Sequence, residues 1–464
     1  MNYFVLVNKE NKIKDSYYKD VKFIDTLNVV GEDTKVEEET YKNYLELKKF
    51  LEEKNIFIGI DTSYRDEEYQ QQIWDNFLEE KGLDYCNSYV APVGYSEHHT
   101  GLCIDISLKK DGVYLTDGGD LLKYDEDFKK IHPYLKDFGF ILRYPEGKEN
   151  ITGYNYEPWH VRYVGKIPAN IIYENNLTLE EYLTKFGGVL VVNKEKNMTS
   201  FDVVRDVSKI LGIKKIGHTG TLDPLAEGVL VLTIGSYTKL GEDLTSLDKE
   251  YIAEVEQGIM TDTLDITGKV IDKNDNRVEN ISDVLNSFKK TYLQEVPIYS
   301  AVKVDGKKLY EYARKDMEVE LPKKEVTIKE IELLTEEENK FSFRTVVSKG
   351  TYIRSLIRDI GLSKSALMTM TRLIRTRQGK FRIEDSYTLD DVRNNNFKIL
   401  GINDLFSYPI IDIDKDLFKK IDNGVIIDNT YDIDDKVMFR YNGRVICIYK
   451  KENNYLKMYK KLRW

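Results

Sequence analysis

Apolar residues in the first 185 positions follow both strand and helix patterns. Residues 3–9, 56–60 and 102–106 have the dense apolar pattern of short strands. Residues 38–53, and a segment that follows Arg65, instead place apolar side chains three or four positions apart, which predicts two helices. This mixture predicts a small α+β domain.

The remaining chain mixes longer strands with helices. Strands are predicted at residues 188–194, 251–256 and 341–347, helices at residues 201–211, 281–292 and from 349 onward, and a buried strand or helix at 229–234. Thr199 and Ser200 are N-cap candidates, because their side-chain oxygens accept hydrogen bonds from the first helical N–H groups. Short alternating strands follow at residues 436–441, 444–449 and 455–459. We therefore expect a mixed-sheet domain followed by a small β-rich one.

The composition narrows the class of protein. A length of 464 residues exceeds one ordinary hydrophobic core and predicts two to four domains. The chain has no apolar run long enough for a membrane span and no basic-then-apolar leader, so we expect no membrane association and a cytoplasmic location. Cys86, Cys103 and Cys447 are scattered and odd in number, which predicts free thiols.

Charge divides the chain near residue 185. Residues 1–185 contain 23 Lys and Arg against 35 Asp and Glu, a balance of −12, and the remainder contains 46 against 44, a balance of +2. Four of the five histidines lie in the acidic part. Two unlike proteins are therefore expected to be joined, with no Gly/Ser-rich or Pro-rich spacer between them.

Metal-binding side chains cluster in the acidic part, in the stretch Ser96-Glu-His98-His-Thr-Gly101-Leu-Cys-Ile-Asp105. In a strand at 102–106, Asp105 points away from the apolar face and can meet His98 across the Gly101 turn. Further on, His160 supplies a third ligand and Glu157 a spare carboxylate. Two His and one Asp leave the fourth position of a tetrahedral zinc ion for water, which is the arrangement of a hydrolytic site. Each residue alone is more often a packing or surface residue. His99 is the competing ligand candidate, but its neighbour His98 fits the motif, so we expect His99 to be structural or to lie behind the ligands.

The pattern Ser-x-His-x-x-Gly-x-x-x-Asp, followed downstream by Glu-x-Trp-His, resembles the VanY-type zinc D,D-carboxypeptidases over roughly residues 3–183. The resemblance implies a small α+β zinc peptidase domain of the LAS or Hedgehog-like type, which acts on D-Ala-D-Ala or on peptidoglycan precursor stems. It also implies individual roles: His98, Asp105 and His160 bind Zn²⁺, Glu157 is the base that takes a proton from the zinc-bound water, Arg65 grips the substrate carboxylate, and Ser96 with Gln70 binds the peptide backbone.

One residue departs from this family pattern. Cys103 stands where the family usually has a small alanine, on the side of the strand that faces the site. We expect it to change the shape of the pocket more than the metal site. A metal-free peptide-binding domain, or a hydrolase of another short peptide, is the alternative for this part of the chain.

A Gly-rich turn, Ile216-Gly-His-Thr-Gly-Thr-Leu-Asp-Pro-Leu-Ala-Glu-Gly228, holds the carboxylate of Asp223 just before a proline that fixes the next φ. By itself Asp-Pro is an ordinary turn dipeptide. The residues from His218 to Gly228, however, resemble the catalytic loop of the TruB-type tRNA pseudouridine synthases over its whole length. The resemblance implies isomerisation of the uridine at tRNA position 55, in the T-loop, without metal or another cofactor.

The same resemblance implies the roles of individual side chains. Asp223 is the catalytic acid residue, Tyr251 packs on the target base and assists proton removal, Arg354 pairs with Asp223, Tyr352 lines the pocket, Leu373 closes its apolar wall, and His218 occupies the space left by the flipped nucleotide. Residues 365–369 depart from the family pattern, so the loop beside Leu373 is expected to differ in shape.

Basic residues predict contact with RNA. Lys303 and the stretch 372–382, which begins with Arg372 and has five cations and no acid, are expected to lie along phosphates. A solvated basic surface is the alternative for the stretch, and an RNA-binding or RNA-folding module without chemistry is the alternative for this half of the chain. DNA is not an expected partner.

The predicted architecture is multidomain α+β. Residues 1–185 form the peptidase domain, residues 186–405 a mixed-sheet synthase domain, and residues 406–464 a small β-rich domain that resembles the PUA-like RNA-binding domain. The predicted function is that of a bifunctional enzyme whose partners are tRNA and D-Ala-D-Ala-containing peptides.

Overall fold

The computed structural model describes residues 1–116 and 121–462, and these form two compact units. The first unit contains Met1–Phe186 and Lys209–Lys214, and the second contains Gly187–Ser208 and the described chain from Lys215 onward. Arg463 and Trp464, at the end of the predicted third domain, lie outside the described residues.

The first unit is built on an antiparallel sheet. Its strands, in spatial order, are Ile58–Thr62, Cys103–Lys110, His160–Tyr163 and Phe140–Leu142, with Val113–Tyr114 paired to the second of them and a separate hairpin of Phe23–Leu27 and Asp33–Glu37. Its α-helices are Glu38–Glu52, Glu67–Lys81, Leu83–Tyr89, Asp125–Phe128, His132–Leu135, Glu149–Thr152, Lys166–Glu174 and Leu179–Thr184. Short 3-10 helices occur at Asp15–Asp20, Glu97–Thr100, Leu121–Tyr124 and Lys136–Phe138.

Local chemistry explains where the two long helices of this unit begin. The Glu37 side chain accepts a hydrogen bond from the N–H of Thr40, and Asp66 accepts one from Tyr69, so each helix begins at a carboxylate cap. Leu47 and Leu51 then pack in one core with the sheet residues Ile58, Ile104 and Ile106. The strand predicted at residues 3–9 is wrong: a single isolated bridge joins Asn8 to Asn11 there.

The second unit contains a nine-stranded mixed sheet. Seven strands follow one another in the spatial order Thr291–Glu295, Lys323–Glu336, Lys340–Val347, Lys249–Gln257, Met368–Gln378, Glu227–Gly235 and Gly187–Lys194. Phe381–Arg382 pairs with Met368–Gln378, and Ile216–His218 pairs with Glu227–Gly235. All pairs are antiparallel except the parallel pair of Glu227–Gly235 with Met368–Gln378. The apolar run 229–234 is therefore a buried strand.

Helices cover this sheet and small hairpins extend from it. The helices are Ser200–Leu211, Gly241–Thr245, Ile281–Ser287, Leu309–Ala313, Ile353–Leu362, Leu389–Arg393 and Ile402–Leu405, with a 3-10 turn at Ser236–Leu240 and another at Ile383–Asp385. The hairpins pair Ile259–Thr261 with Val270–Lys273, and Lys303–Val304 with Lys307–Lys308. The predicted helix at 281–292 ends at Ser287, because Thr291–Glu295 pairs with the long strand Lys323–Glu336.

The end of the described chain forms a small sheet within the second unit. Its strands, in spatial order, are Ile410–Asp412, Lys436–Tyr441, Arg444–Glu452, Tyr455–Lys461 and Ile427–Asp428, and the helix Lys415–Asp422 accompanies them. Met438, Val445 and Ile448 pack in one apolar cluster with Val189 and Val231 of the larger sheet. The predicted fold class, multidomain α+β with a β-rich end, is confirmed. Within the described ranges, every helix is too short or too polar to cross a bilayer.

Two candidate active sites

The loop that carries Asp223 is fixed at both ends by hydrogen bonds. Ser200, the first residue of its helix, accepts a hydrogen bond from the N–H of Leu222 at 2.9 Å and donates one to its carbonyl at 3.2 Å. Within the loop, the N–H of Ala226 donates to the carbonyl of Asp223 at 3.0 Å. These contacts hold the carboxylate on a rigid turn directly before the buried strand Glu227–Gly235.

A buried arginine also shapes this loop. Arg375 donates from Nε to the carbonyl of Val229 at 2.7 Å and from Nη2 to that of Gly220 at 2.9 Å. Gly228 has φ +100° and lies against the Arg375 backbone, where an added Cβ would come within 2.3 Å of the carbonyl oxygen. Only glycine satisfies both conditions without strain, so the loop and the central strand are closely fitted here.

Asp223 forms an ion pair with Arg354. Nη2 of Arg354 lies 2.9 Å from Oδ2 of Asp223, and the arginine is buried while the carboxylate is partly exposed. The guanidinium is held in place by the carbonyls of Thr263 at 2.8 Å and Tyr299 at 3.0 Å. Oδ2 of Asp265 lies 3.9 Å from Nη1 of Arg354. The fixed, buried cation holds the partly exposed carboxylate of Asp223 in one orientation, as a nucleophile or base requires.

A cavity of about 270 Å³ surrounds this ion pair. Its walls contain all five residues predicted to act in catalysis in the second unit: Asp223, Tyr251, Tyr352, Arg354 and Leu373. The guanidinium carbon of Arg375 lies 5.9 Å from the centroid of the Tyr251 ring, within cation–π range. The cavity therefore combines an acid, aromatic walls and a fixed cation in one place.

Three further residues of this site could not be found from the sequence. Gln294 is buried and binds both backbone groups of Tyr352, accepting from its N–H at 2.8 Å and donating to its carbonyl at 3.1 Å. Lys249 and Arg375 line the cavity, and burial lowers the pKa of Lys249 to about 8, with the neighbouring Arg375 adding to the effect. A buried Lys or Arg has no local sequence signature, because its environment is supplied by distant strands.

Lys303, Arg372 and His218, three of the residues expected to contact RNA, are not among the described residues that line this cavity. Lys303 is exposed on a two-residue strand, and Arg372 is partly exposed between Glu227 at 3.6 Å and Glu254 at 3.4 Å. His218 is partly buried on the strand Ile216–His218 and is not among the described residues that line the cavity.

The prediction that residues 372–382 form one basic surface is wrong in part. Nine of its eleven residues belong to the interior strand Met368–Gln378 or to its short partner strand Phe381–Arg382. Side chains along a strand point alternately to the two faces of the sheet, and this alternation turns Arg375 inward. Arg377 faces Glu250, 3.4 Å away.

Residue 365, in the segment that departs from the family pattern, has φ +53°, and its carbonyl accepts a hydrogen bond from Asn276 at 2.7 Å.

The first unit contains a second cavity, of about 390 Å³. Most residues predicted for the peptidase site line it: Arg65, Ser96, His98, Asp105, Glu157 and His160. Gln70 does not: it is fully buried, and its Nε2 donates to the carbonyl of Ala91 at 2.7 Å. Ala91 lines the cavity, so Gln70 positions the wall rather than forming it.

The three predicted metal ligands converge on one point. Nε2 of His98 lies 3.2 Å from Oδ2 of Asp105, and Nδ1 of His160 lies 3.0 Å from Oδ1. Ligands around a tetrahedral zinc ion at about 2.0–2.1 Å are separated by roughly 3.3 Å, which agrees with this spacing. Oδ1 of Asp105 is buried and, despite the 3.0 Å distance to His160, makes no hydrogen bond of normal geometry among the described residues. The donor set fits a zinc ion.

Backbone and side-chain contacts determine which ring nitrogen of each histidine faces the candidate metal site. Nδ1 of His98 lies 2.6 Å from the carbonyl of Ser63, which directs Nε2 toward Asp105. In His160 the order is reversed: Nδ1 faces Asp105, and Nε2 lies 3.8 Å from Oε2 of Glu97. His99 is no competitor, because both its ring nitrogens contact backbone groups, the N–H of Gly94 and the carbonyl of Arg65.

Glu97 is the centre of a buried charge network that the sequence did not indicate. Its Oε1 accepts from Arg143 Nε at 2.8 Å and from Arg162 Nη1 at 2.6 Å, and Arg143 also binds Glu180. All three side chains of Glu97, Arg143 and Arg162 are fully buried. The network fixes the 3-10 turn that carries His98 against the strand that carries His160.

Glu157 and Arg65 lie beside the candidate metal site formed by His98, Asp105 and His160. Oε2 of Glu157 is 3.6 Å from Nδ1 of His160, and burial raises the pKa of Glu157 to about 7, although the charge of His160 acts in the opposite direction. A general base works best with a pKa near the working pH. Nη2 of Arg65 contacts Oδ2 of Asp105 at 2.9 Å. Arg65 therefore contacts a predicted ligand as well as lining the cavity.

Cys103 belongs to the same cluster. Its Sγ and one ring nitrogen each from His98 and His160 all lie within 4.8 Å of one another, and the three residues are buried. The expectation that Cys103 affects the shape of the pocket more than the metal site does not hold, since the thiol lies among the candidate metal ligands.

Comparison with known proteins identifies two families in the chain. Residues 208–353 match the family model described as TruB family pseudouridylate synthase (N terminal domain). Residues 33–166 match the VanY model, described as D-alanyl-D-alanine carboxypeptidase. Both family resemblances predicted from the sequence motifs are confirmed.

Similar proteins are known for both parts of the chain. The tRNA pseudouridine synthase B of Caldanaerobacter subterraneus subsp. tengcongensis is 43% identical over 265 residues, which cover 56% of this chain and 93% of that protein. The protein of the same name from Fusobacterium nucleatum is 50% identical over 199 residues, covering 42% and 69%. A solved structure of VanYB in complex with D-alanine-D-alanine is 32% identical and covers 39% of this chain and 96% of that one, with a TM-score of 0.33.

Proposed function

Because the chain belongs to the TruB family of pseudouridine synthases and carries a VanY-type D-alanyl-D-alanine carboxypeptidase domain, we propose that it is a bifunctional enzyme. The proposed synthase comprises residues 186–405, with an RNA-binding end at 406–464, and converts a uridine of the tRNA T-loop into pseudouridine. The proposed peptidase, residues 1–185, releases D-alanine from D-Ala-D-Ala ends of peptidoglycan precursors. A tRNA substrate assigns the first reaction to the cytosol.

The ion pair between Asp223 and Arg354, inside an aromatic-walled cavity, is the observation that carries the synthase assignment. Isomerisation breaks the C–N glycosidic bond of uridine, turns the uracil and forms a C–C bond. One proton leaves carbon and one is gained by nitrogen, so the reaction has no net redox change. Asp223 attacks or deprotonates, and Arg354 orients the carboxylate by holding Oδ2.

The remaining cavity residues hold the detached base. Tyr251 stacks on the uracil and assists removal of the proton, Tyr352 forms a second wall, and Leu373 provides an apolar surface. A uridine stacked in RNA cannot enter such a cavity, so the nucleotide must be flipped out first. We assign His218 to the space that the flipped nucleotide leaves.

Electrostatics support contact of the second unit with the RNA backbone. Lys303 is exposed on a hairpin, and Arg372, in the middle of the strand Met368–Gln378, is partly exposed. Each contributes a sequence-independent phosphate contact, which predicts that binding weakens as salt concentration rises. Glu227 and Glu254 hold Arg372 in place until phosphate replaces them.

The peptidase assignment rests on His98, Asp105 and His160 as zinc ligands. A bound zinc ion would act as a Lewis acid toward the scissile carbonyl and the attacking water. Glu157, beside His160, accepts a proton at Oε2 and returns it to the leaving amine of D-alanine. Arg65 binds the terminal carboxylate of the substrate, and Ser96, on the cavity wall, binds its backbone together with the segment that Gln70 supports.

Two substitutions separate the proposed activities. In the full-length chain, Asp223→Asn is expected to abolish pseudouridine formation in a T-loop RNA while leaving D-alanine release unchanged, and Glu157→Ala is expected to do the reverse. Each variant is the folding control of the other. RNA binding is measured in parallel, so a non-catalytic RNA-binding module is distinguished from an enzyme. Pseudouridine formation by Asp223→Asn at the wild-type rate contradicts the synthase mechanism.

A further inference from the structure

The thiol of Cys103 faces the same point as the proposed metal ligands. Cys103 and Asp105 are two positions apart on the strand Cys103–Lys110, so both side chains lie on one face of the sheet. In the ladder Cys103 pairs with Arg162, and Asp105 pairs with His160. The alternation that brings Asp105 to His160 therefore also brings Sγ of Cys103 to the site.

The surroundings of Cys103 are unlike those of an ordinary packing cysteine. Cys86, in the same unit, is buried, and its thiol is a weak donor to the carbonyl of Trp74 at 3.7 Å. Sγ of Cys103 and one ring nitrogen each of His98 and His160 instead lie within 4.8 Å of one another. Thiolate and imidazole are the donors that zinc prefers in proteins.

We propose that Cys103 is a fourth protein ligand of the metal, together with His98, Asp105 and His160. This inference rests on the metal site of the proposed peptidase. Zn–S distances of about 2.3 Å and Zn–N distances of about 2.0 Å correspond to S–N separations of roughly 3.5 Å, so small side-chain rotations suffice to bring these donors together. Asp105 remains a ligand because its buried Oδ1, although 3.0 Å from Nδ1 of His160, makes no hydrogen bond of normal geometry within the described residues.

A fourth protein ligand changes what the site does. Three protein ligands leave a tetrahedral position open for chemistry, whereas four close it. With the thiolate bound, Glu157 has no water to activate beside His160, and peptide hydrolysis requires the sulfur to leave the metal first. The site then binds thiophilic metals tightly and holds the peptidase in a closed state.

Cobalt substitution tests this ligand directly. The full-length chain is stripped of metal and titrated with Co²⁺, for the wild type and for Cys103→Ala, with Cys86→Ala as the matched control. We expect a sulfur-to-cobalt charge-transfer band in the near ultraviolet for the wild type and Cys86→Ala, and its loss in Cys103→Ala. Cobalt affinity should fall at least about tenfold in Cys103→Ala. Circular dichroism verifies the fold of each variant.

The outcomes separate the new ligand from the metal site itself. Cobalt binding to the wild type without a charge-transfer band would overturn the role of Cys103 and leave the three-ligand site intact. Failure of the wild type to bind cobalt at all would refute the metal site and the fourth ligand together. D-alanine release per bound cobalt should rise several-fold in Cys103→Ala, and a band without that rise would refute the closed state.

Discussion

Replacement of Arg354 by lysine keeps a positive charge in the synthase cavity but removes the planar guanidinium group, which contacts three other groups. In the wild type, the guanidinium contacts the carbonyls of Thr263 and Tyr299 and the carboxylate of Asp223 at 2.8, 3.0 and 2.9 Å. A lysine ammonium is a compact point charge and cannot hold the same three partners in this geometry. The carboxylate of Asp223 then loses its fixed partner.

The size of this effect follows from the bond that is lost. A hydrogen bond between charged groups contributes about 1.5–3 kcal/mol. If the contact with Asp223 is needed in the transition state, kcat/KM for pseudouridine formation should fall roughly 10- to 150-fold, at about 1.4 kcal/mol per factor of ten. Release of tritium from labelled uridine in a T-loop RNA measures kcat/KM, and thermal unfolding reports stability.

Arg358→Lys is the matched control. Arg358 lies on the same helix, Ile353–Leu362, and binds Glu295 and Asp359 away from the cavity. Both variants should lose stability, but only Arg354→Lys should lose kcat/KM by an order of magnitude. A well-folded Arg354→Lys enzyme with kcat/KM within about twofold of the wild type would show that the ion pair has no catalytic role.

Three further predictions concern the loop, the buried network and the metal. Gly228→Ala forces a Cβ to within 2.3 Å of the Arg375 carbonyl oxygen, so Tm and pseudouridine formation should both fall. Gly241 has open space around it, so the control Gly241→Ala should change neither. Equal Tm values for the two variants would contradict this prediction. Glu97→Ala leaves Arg162 without its carboxylate partner, so the free energy of unfolding should fall by about 3–5 kcal/mol. Urea unfolding followed by tryptophan fluorescence measures this free energy. A decrease no larger than that of Glu146→Ala, at an exposed position, would refute the prediction. Removal of metal by a chelator should abolish D-alanine release and leave pseudouridine formation unchanged, with activity restored by zinc; chelator-resistant release would exclude the metal mechanism.

Contiguous motifs were readable from the sequence because neighbouring residues in the chain have nearly fixed separations. The Asp223 loop and the stretch from Ser96 to Asp105 are of this kind, and both lie on the walls of the two cavities. Helix starts were equally local, since the capping carboxylates of Glu37 and Asp66 bond to N–H groups three residues away. Family resemblance then linked these motifs to distant partners such as His160 and Arg354.

Residues whose environment depends on distant strands could not be assigned in this way. Arg375 reads as one of five cations in a basic stretch, but the pairing of Met368–Gln378 with Glu227–Gly235 buries it between two backbone carbonyls. The residues after Ser287 read as a continued helix until the edge of the large sheet pairs with them.

From the sequence, Cys103 differs from the usual alanine of the family only by a small increase in side-chain volume. The strand register, however, turns its thiol toward two imidazoles. Sequence alone determines periodicity, caps and local motifs. Burial and the identity of partners depend on which strands lie side by side, and only the tertiary structure decides that.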